Sequence, residues 1–271
     1  MTRPSLNAIF GVTLIGLLLA VAIAGSFWTP FDPLGINFPA RLGAPGPLHW
    51  LGTDEFGRDV LSRLMKGAAT SVRICVLTVC FALVAGTIVG IFTGFVRGWS
   101  DRIIMAFVNA LLAFPGILLA LALLTVVGAN EYGIVLALGF AYTPSVARVV
   151  RGTVLSLREK EYIEAARVMG NSELFIMARH ILPNCIASLI VLGTSMFGWV
   201  LLAESALSFL GLGVPPPAPT WGNMLASGRP YMVQAVWLGL FPGLCIALTL
   251  LGINLLGDVL RDKFDPRMRG L

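Results

Sequence analysis

Long runs of apolar residues alternate with short polar segments along nearly the whole chain. Most of these runs have the roughly 20 residues that a helix needs to cross the hydrocarbon core of a bilayer. Because helices and closed barrels alone satisfy their backbone polar groups inside lipid, the pattern predicts an all-α polytopic membrane protein with six transmembrane helices. The predicted spans are Leu6–Phe27, Ile74–Val96, Ile103–Val127, Tyr132–Ala147, Cys185–Phe209 and Ala235–Gly257.

The spans divide the chain into four parts. Residues 1–28 are predicted to form an N-terminal transmembrane helix, and residues 29–70 an external segment with a short amphipathic helix. Residues 71–260 are predicted to form a core of five transmembrane helices, followed by a basic tail at residues 261–271. The first apolar run is longer than the roughly 7–15 residues of a secretory signal, which favours an uncleaved helix over a signal peptide.

Composition agrees with a membrane protein. Hydrophobic residues make up 57% of the chain and charged residues 12%, with a mean hydropathy of +0.86. A soluble chain carries about a quarter charged residues. The cysteines and histidines lack the spacing of metal ligands, so we expect no metal site and interpret the cysteines as small buried hydrophobes. These residues are Cys75, Cys80, Cys185, Cys245, His49 and His180.

The basic residues predict an orientation. The net charge is +5, but lysines and arginines stand at the ends of the apolar spans and not on one face, so the charge is interpreted as a record of topology and not as a nucleic-acid surface. With the N-terminus in the cytoplasm, most of them fall on the cytoplasmic side. We therefore expect cytoplasmic N- and C-termini and an external segment at residues 29–70.

A polar, helix-forming stretch, EYIEAARVMGNSELFIMARHILP, separates two of the spans. Ser156 and Glu159 have the spacing of a capping box, which predicts a helix beginning near Leu157. Gly170 is a natural helix stop, and Pro183 suits the first turn of the following helix. The stretch is predicted to be a helix–glycine–helix elbow outside the hydrocarbon, with Asn171 and Ser172 capping its second helix and with one small, mostly apolar face. This face comprises Tyr162, Ala165, Ala166 and Met169.

The elbow resembles the cytoplasmic coupling segment of ABC-importer permeases, here residues 152–183. The family pattern is E-A-A, three residues, G, nine residues and I-x-L-P. It is matched by Glu164-Ala165-Ala166, Gly170 and Leu182-Pro183. His180 stands where the family usually has isoleucine, a variant common in the dipeptide, oligopeptide and nickel branch. The resemblance implies a type I importer permease fold and an ATPase-docking role, against the alternative of an ordinary amphipathic loop. The implied ATPase-coupling residues are Tyr162, Glu164, Ala165, Ala166, Met169 and Gly170.

Two further segments resemble the same branch. A charged turn leads into the amphipathic helix that carries Val60, Leu61, Leu64 and Met65, and Gly211–Tyr231 carries the run GLGVPPPAPTWGNML. The resemblance implies that both lie on the extracytoplasmic side of the membrane and help to receive a solute-binding protein. For the first segment, the alternative is a simple helix-capping turn. The binding-protein-facing residues are predicted to be Gly52, Thr53, Asp54, Gly57, Arg58 and Asp59.

Polar residues within the spans are candidates for a translocation path. An intramembrane asparagine needs a partner, and a proline frees a backbone carbonyl, so both should face protein or water. Glu204 is interpreted either as a packing anchor between helices or as a contact on the path. The candidate path residues are Asn109, Pro115, Glu204, Ser205 and Ser208. Small residues recur every fourth position at Ala82, Gly86, Gly90 and Gly94, which favours close helix packing over a pore lining.

The sequence has no P-loop, HExxH or GxSxG motif, so we expect no catalytic residue in this chain. The resemblance implies that ATP and magnesium bind to two ATPase subunits. It further implies a homologous second permease, an extracytoplasmic solute-binding protein, contact with membrane lipid and a place in the bacterial inner membrane. Short peptides are the expected solute, with nickel chelates, opines, glutathione and oligosaccharides as alternatives. An ion-coupled transporter or channel and a non-transporting assembly subunit are the alternatives from other classes.

Overall fold

The computed structural model describes residues 6–264, and the described chain is helical apart from its loops. A single antiparallel bridge joins Thr53 and Asp59. The helices are α1 (Leu6–Phe27), α2 (Val60–Val96), α3 (Gly98–Leu112), α4 (Gly116–Val127), α5 (Glu131–Arg158), α6 (Glu161–Val168), α7 (Glu173–Ile176), α8 (Leu182–Phe209), α9 (Trp221–Gly228) and α10 (Trp237–Phe264). The predicted basic tail, from residue 265 onward, lies outside the described residues.

The described residues contain five helices that are long and apolar enough to cross a membrane, or six if the bent pair α3–α4 counts as one span. The interruption predicted at Pro115 is confirmed, because α3 and α4 meet there at an angle of 97°. Proline has no N–H for the preceding turn and restricts the residue before it, so the helix ends at Leu112 and restarts at Gly116.

The amphipathic helix predicted ahead of the second span is not separate. It is the first part of α2, which continues through residues 67–73 into the apolar region without a break. The stretch between the two parts contains no proline, and Gly67 packs against Trp221 of α9, where a Cβ would lie 3.3 Å from the indole ring. This tertiary contact stabilises a position that is weak in an isolated helix, and the predicted boundary at residue 70 therefore falls inside α2.

Helices α2 and α5 form the centre of the bundle, and the stripe of small residues lies between them. A Cβ added to Gly86 would lie 2.4 Å from Cβ of Val146, and one on Gly94 would lie 2.8 Å from Cβ of Val154. The prediction of close helix packing is confirmed: glycine lets the two backbones approach to a distance that any larger residue would prevent.

The two ends of α2 lie in different surroundings. At its N-terminal end, residues 29–59 and the α9 region form a cap, in which the indole of Trp221 donates to the carbonyl oxygen of Leu64 at 3.1 Å and that of Trp237 to Thr53 at 3.1 Å. At its C-terminal end the carbonyl oxygen of Phe95 accepts from Arg158 at the end of α5, next to α6. The cap and the elbow are therefore at opposite ends of the bundle.

Candidate functional site

The first helix of the elbow, α6, begins four residues later than its predicted start near Leu157. Helix α5 runs through Ser156 to Arg158, Glu159 is its C-cap, and Lys160 is the N-cap of α6. The predicted capping box of Ser156 and Glu159 is wrong, because the backbone N–H of Ser156 belongs to a helix that is already under way. The packing of α5 along α2 extends the helix past the point where local capping preferences would have started a new one.

Of the other turn signals of the elbow, those of Gly170, Ser172 and Pro183 are confirmed, and the capping of the second helix by Asn171 is wrong. Gly170 has φ of +81°, a conformation that favours glycine, and it ends α6. Ser172 caps α7 by accepting from the backbone N–H of Phe175 at 3.3 Å. Asn171 instead donates its side-chain amide to the carbonyl oxygen of Ala166 at 3.0 Å and so closes the preceding helix. Pro183 lies in the first turn of α8.

A π-helical turn, Met177–Ile181, joins α7 directly to α8. Such turns are rare and concentrate at functional positions. His180 lies in this turn with its ring centroid 6.3 Å from that of Tyr162 and 5.9 Å from that of Phe175. The histidine that replaces the usual isoleucine therefore joins the two arms of the elbow through aromatic contacts.

The predicted docking face divides into two sides. Ala166 is only 1% exposed and lies with Ile163 and Ile176 on the side that packs against the rest of the chain. Met169 is 74% exposed, and Tyr162 is also exposed. The placement of Ala166 on the outer face is therefore corrected, since an alanine on that side fills the narrow contact between α6 and the bundle. The remaining predicted coupling residues are exposed: Glu164, Ala165 and Gly170.

The charged turn in the cap is held by its own side chains. The Asp54 carboxylate accepts from the backbone N–H groups of Phe56 and Arg58 at 2.9 Å each, and from the Arg58 Nε at 2.6 Å. The Nε of Arg63 lies 3.3 Å from the same carboxylate. Gly52 supplies a positive φ of +78° at the start of the turn, as does Gly57 within it at +74°.

Asp59, at the C-terminal end of the charged turn, is the N-cap residue of α2. Its carboxylate accepts from the backbone N–H of Ser62 at 2.8 Å and from the Ser62 hydroxyl at 2.7 Å, and His49 Nδ1 lies 2.9 Å away. Thr53 is fully buried, and its hydroxyl donates to the carbonyl oxygen of Ala40. The turn therefore caps α2, which was the alternative interpretation of this segment. The cap presents to its surroundings the exposed apolar side chains Leu48, Trp50 and Phe56.

Glu55 lies on the rim of the turn. Its carboxylate accepts from Nη2 of Arg58 at 3.1 Å. Burial raises the pKa of this carboxyl above its usual value, with a further increase from the neighbouring charge of Asp54, while Arg58 and Arg63 oppose the rise. The turn thus contains one acid that is more easily protonated than an ordinary glutamate.

The candidate path residues separate into two groups. Glu204 is completely buried, and its Oε1 accepts from the hydroxyls of Ser208 and Thr220 at 2.9 Å each. Ser205, also buried, donates to the carbonyl oxygen of Leu201 at 2.9 Å. This group ties α8 to the N-terminus of α9, which supports the interpretation of Glu204 as an anchor.

Asn109 and Pro115 form the second group, on the exposed surface of the bent pair α3–α4. Asn109 accepts from the guanidinium of Arg148 on α5 at 2.9 Å, so the partner that an intramembrane asparagine requires is an arginine that the sequence analysis did not connect to it. Thr220 is the other residue that was missed. Its capping box with Asn223 was available as a T-x-x-N pattern at the start of α9.

The structure brings no group of three or more histidine, cysteine or acidic side chains together as a metal site within residues 6–264. Of the cysteines, Cys75 and Cys185 are buried and Cys80 is exposed. The candidate surfaces for partners are therefore the elbow and the cap.

The helical arrangement matches that of a solved transporter. The chain superposes on a chain of the MetNI methionine ABC transporter in an inward-facing conformation with a TM-score of 0.62, covering 74% of this chain and 96% of that one at 18% sequence identity. The fold is that of an ABC-transporter permease. The family described as "Binding-protein-dependent transport system inner membrane component" matches residues 86–270, and the chain belongs to this family.

Relatives extend the match over almost the whole chain. A putative peptide transport system permease protein of Brucella suis is 42% identical, covering 96% of this chain and 87% of its own length. The glutathione transport permease GsiD of Pectobacterium atrosepticum is 41% identical, with coverages of 93% and 84%. The dipeptide transport permease DppC of Alkalihalophilus pseudofirmus is 40% identical, with coverages of 97% and 86%. The protein is therefore a permease component of a binding-protein-dependent ABC importer, which excludes an ion-coupled transporter and a non-transporting anchor.

Proposed function

We propose that this permease docks an ATPase subunit on the elbow and imports short peptides. The observation that carries the docking role is the division of the elbow into two sides. Ile163, Ala166 and Ile176 anchor it to the bundle, while Tyr162 and Met169 remain exposed. Exposed apolar side chains on a segment outside the hydrocarbon indicate a surface that another protein covers.

The elbow's outer face extends over both short helices. Val168 and Leu174 are 84% and 75% exposed and continue the apolar surface that Met169 begins. Glu164 and Ala165 lie on the same exposed part of α6. Two ATPase subunits would supply the sites for ATP and magnesium, one on this elbow and one on the equivalent elbow of a homologous second permease.

The cap is proposed to face outward and to receive the solute-binding protein. The basic residues near the elbow support this orientation, since Lys160, Arg167 and Arg179 all lie on it. Both termini then lie in the cytoplasm of a bacterial cell, with the chain in the inner membrane. The side chains of Asp54 and Arg58 bind each other, and that of Asp59 binds Ser62 and His49. The contact surface of the cap is therefore assigned to its exposed side chains, such as Trp50 and Phe56.

Peptides are the proposed solute because three relatives with about equal similarity are named as peptide, dipeptide and glutathione permeases. All three solutes share peptide-type amide groups and a carboxylate. The described path candidates contain no cluster that would bind one particular solute side chain. This is consistent with transport of peptides that have different side chains. Nickel chelates, opines and oligosaccharides are the solutes that a test must distinguish from peptides.

Uptake measurements test the solute. Deletion of the permease should abolish uptake of labelled di- to pentapeptides, and expression of the wild-type chain should restore it. The same strains should take up labelled nickel, an opine and an oligosaccharide at unchanged rates. Unchanged peptide uptake with loss of one of the other solutes would contradict the peptide assignment and leave the permease assignment in place.

Cysteine labelling tests the orientation. A cysteine at Asp54 is unsuitable, since that side chain is buried; Leu48, on the cap, is 69% exposed. In a variant without the native cysteines, Leu48→Cys should react with a membrane-impermeant thiol reagent in cells with an intact inner membrane. Val168→Cys on the elbow is the matched control and should react only after the cells are lysed. The opposite pattern would reverse the topology.

A further inference from the structure

A cavity of about 450 Å³ opens where the C-terminal end of α2 meets the end of α5 and the elbow. Its described lining residues are Phe95, Val96, Arg158, Arg167 and Glu173. We propose that this cavity binds the phosphate of an acidic membrane phospholipid between Arg158 and Arg167. The inference concerns the boundary between membrane and elbow and does not depend on which solute the permease imports.

The two arginines converge on one aromatic ring. The guanidinium carbon of Arg167 lies 5.1 Å from the centroid of the Phe95 ring, and that of Arg158 lies 5.9 Å from it. Arg158 also donates to the carbonyl oxygen of Phe95. Contacts to the ring and to the carbonyl hold both cations at the wall of the cavity, and each guanidinium retains further N–H donors.

The charges of the cavity are unbalanced. Among the described residues that line it, Glu173 is the one carboxylate, and its Oε1 lies 3.5 Å from Nε of Arg167, which is an ion pair longer than a good hydrogen bond. The Nε of Arg167 is buried and has no hydrogen-bond partner. A buried donor of this kind requires an acceptor, and a phosphate oxygen between the two guanidinium groups would supply it while neutralising the excess charge.

The position of the cavity favours a lipid over a soluble anion. It lies at the end of two predicted membrane spans, α2 and α5, where the hydrocarbon gives way to water. Val96 is half exposed on its apolar wall, and Phe92, one turn earlier in α2, and Trp99, near the start of α3, are exposed. Apolar side chains can contact acyl chains while the arginines contact the headgroup, which is the arrangement of basic lipid sites between transmembrane helices.

Binding of phosphatidylglycerol to the purified full-length chain tests the proposal. Acyl-labelled phosphatidylglycerol is titrated into the detergent-solubilised protein, with phosphatidylcholine, whose choline cancels the phosphate charge, as the control lipid. Arg158→Gln and Arg167→Gln should each weaken phosphatidylglycerol binding by about fivefold, and the double variant by about 30-fold. Arg179→Gln, an exposed arginine of the elbow that does not line the cavity, should bind like wild type.

Three further measurements decide the outcome. The Arg158→Lys/Arg167→Lys variant, which keeps both charges, should retain phosphatidylglycerol preference and thereby exclude misfolding as the cause of a loss. Equal binding of phosphatidylglycerol and phosphatidylcholine to the wild-type chain would overturn the proposal. Wild-type affinity for phosphatidylglycerol in the Arg158→Gln/Arg167→Gln variant would also overturn it. Competition by inorganic phosphate at millimolar concentration would assign the cavity to a soluble anion, and loss of lipid binding in the assembled importer would assign it to the ATPase; either result overturns the lipid assignment.

Discussion

The elbow and the cap turn share sequence features, but the side chains that each one buries and exposes are different. Both are short, charged and glycine-containing segments next to apolar spans. In the elbow, the side chains of Tyr162 and Met169 are exposed, and the segment is anchored by buried apolar residues. In the cap turn, Asp54, Arg58 and Asp59 are buried; Asp54 and Arg58 form an ion pair, and Asp59 accepts from Ser62. A motif in the sequence therefore identifies a segment, but the side chains available to a partner depend on which way the segment packs.

This difference in packing also predicts which mutations affect stability and which affect function. Charges in the cap turn neutralise one another, so replacing one leaves its partner buried and unpaired. Met169 on the outer face of the elbow is 74% exposed, so replacing it should leave the fold intact. A substitution in the cap turn should therefore lower stability, whereas a substitution on the outer face of the elbow should weaken partner binding and leave stability unchanged.

The largest expected effect is that of Asp54→Ala in the cap turn. The change leaves Arg58 and Arg63 without their shared carboxylate and removes the oxygen that accepts from two backbone N–H groups. Loss of one partner from a buried ion pair costs about 3–5 kcal/mol. Thermal unfolding of the detergent-solubilised chain should show a strong decrease in midpoint. Glu55→Gln, at the partly exposed rim, is the control, and equal effects from both variants would contradict the described geometry.

The elbow gives the next largest effect and the sharpest contrast. Ala166→Arg should destabilise the elbow itself, since a long cation cannot fit at a position that is 1% exposed. Met169→Arg should preserve the fold and weaken ATPase binding. Co-purification of the ATPase and thermal unfolding, measured together, separate the two. If Met169→Arg retains wild-type ATPase coupling, the outer face of the elbow is not the docking surface.

Glu204 extends the comparison to a buried acid within a span. Glu204→Ala removes the acceptor of two buried hydroxyls, those of Ser208 and Thr220, at a cost of roughly 1–3 kcal/mol for each hydroxyl left unpaired. Glu204→Gln keeps an oxygen at Oε1 and should be milder. Stability and assembly should fall in the order wild type, Gln and Ala. Unchanged assembly of both variants with altered transport would instead place Glu204 on the path.

The smallest effect is a pH dependence of the cap turn. Because burial raises the pKa of Glu55 in the folded protein, this residue's favourable contribution is complete below its unfolded pKa and is lost as pH rises through its folded pKa. Glu55→Gln should therefore flatten the slope of stability against pH above about pH 4.5, the reference value. Unfolding midpoints at a series of pH values give the measurement, and identical slopes for both proteins would contradict the assignment.

Much of the architecture follows from local chemistry that the sequence records. The apolar runs predict the spans, Pro115 predicts the break between α3 and α4, and Gly170 and Ser172 predict the turn of the elbow. The small-residue stripe predicts a close helix contact, although not that α5 is the partner. These signals succeed because each depends on a few neighbouring residues.

The errors arise where distant residues decide the outcome. The capping pattern at Ser156 is overridden because α5 is packed along α2, and Gly67 does not interrupt α2 because Trp221 covers it. Ala166 has the same helical spacing as exposed residues, but the bundle lies on its side of α6. Arg148 bonds to Asn109 on another helix, which no local pattern identifies. The T-x-x-N pattern identifies Thr220 as the cap of α9 but not as the partner of Glu204.

The absence of a break between the elbow and α8 has a mechanical consequence. Residues Glu173–Phe209 form one unbroken 37-residue helical path, with the π-helical turn near one end and Glu204 near the other. At about 1.5 Å per residue this path is roughly 55 Å long. A lever of this length magnifies small rotations: a tilt of about 5° at Glu173 would displace the far end by about 5 Å. The hydrogen bond that Glu204 accepts from Thr220, at the start of α9, would then carry a push on the elbow to the cap at the opposite end of the bundle.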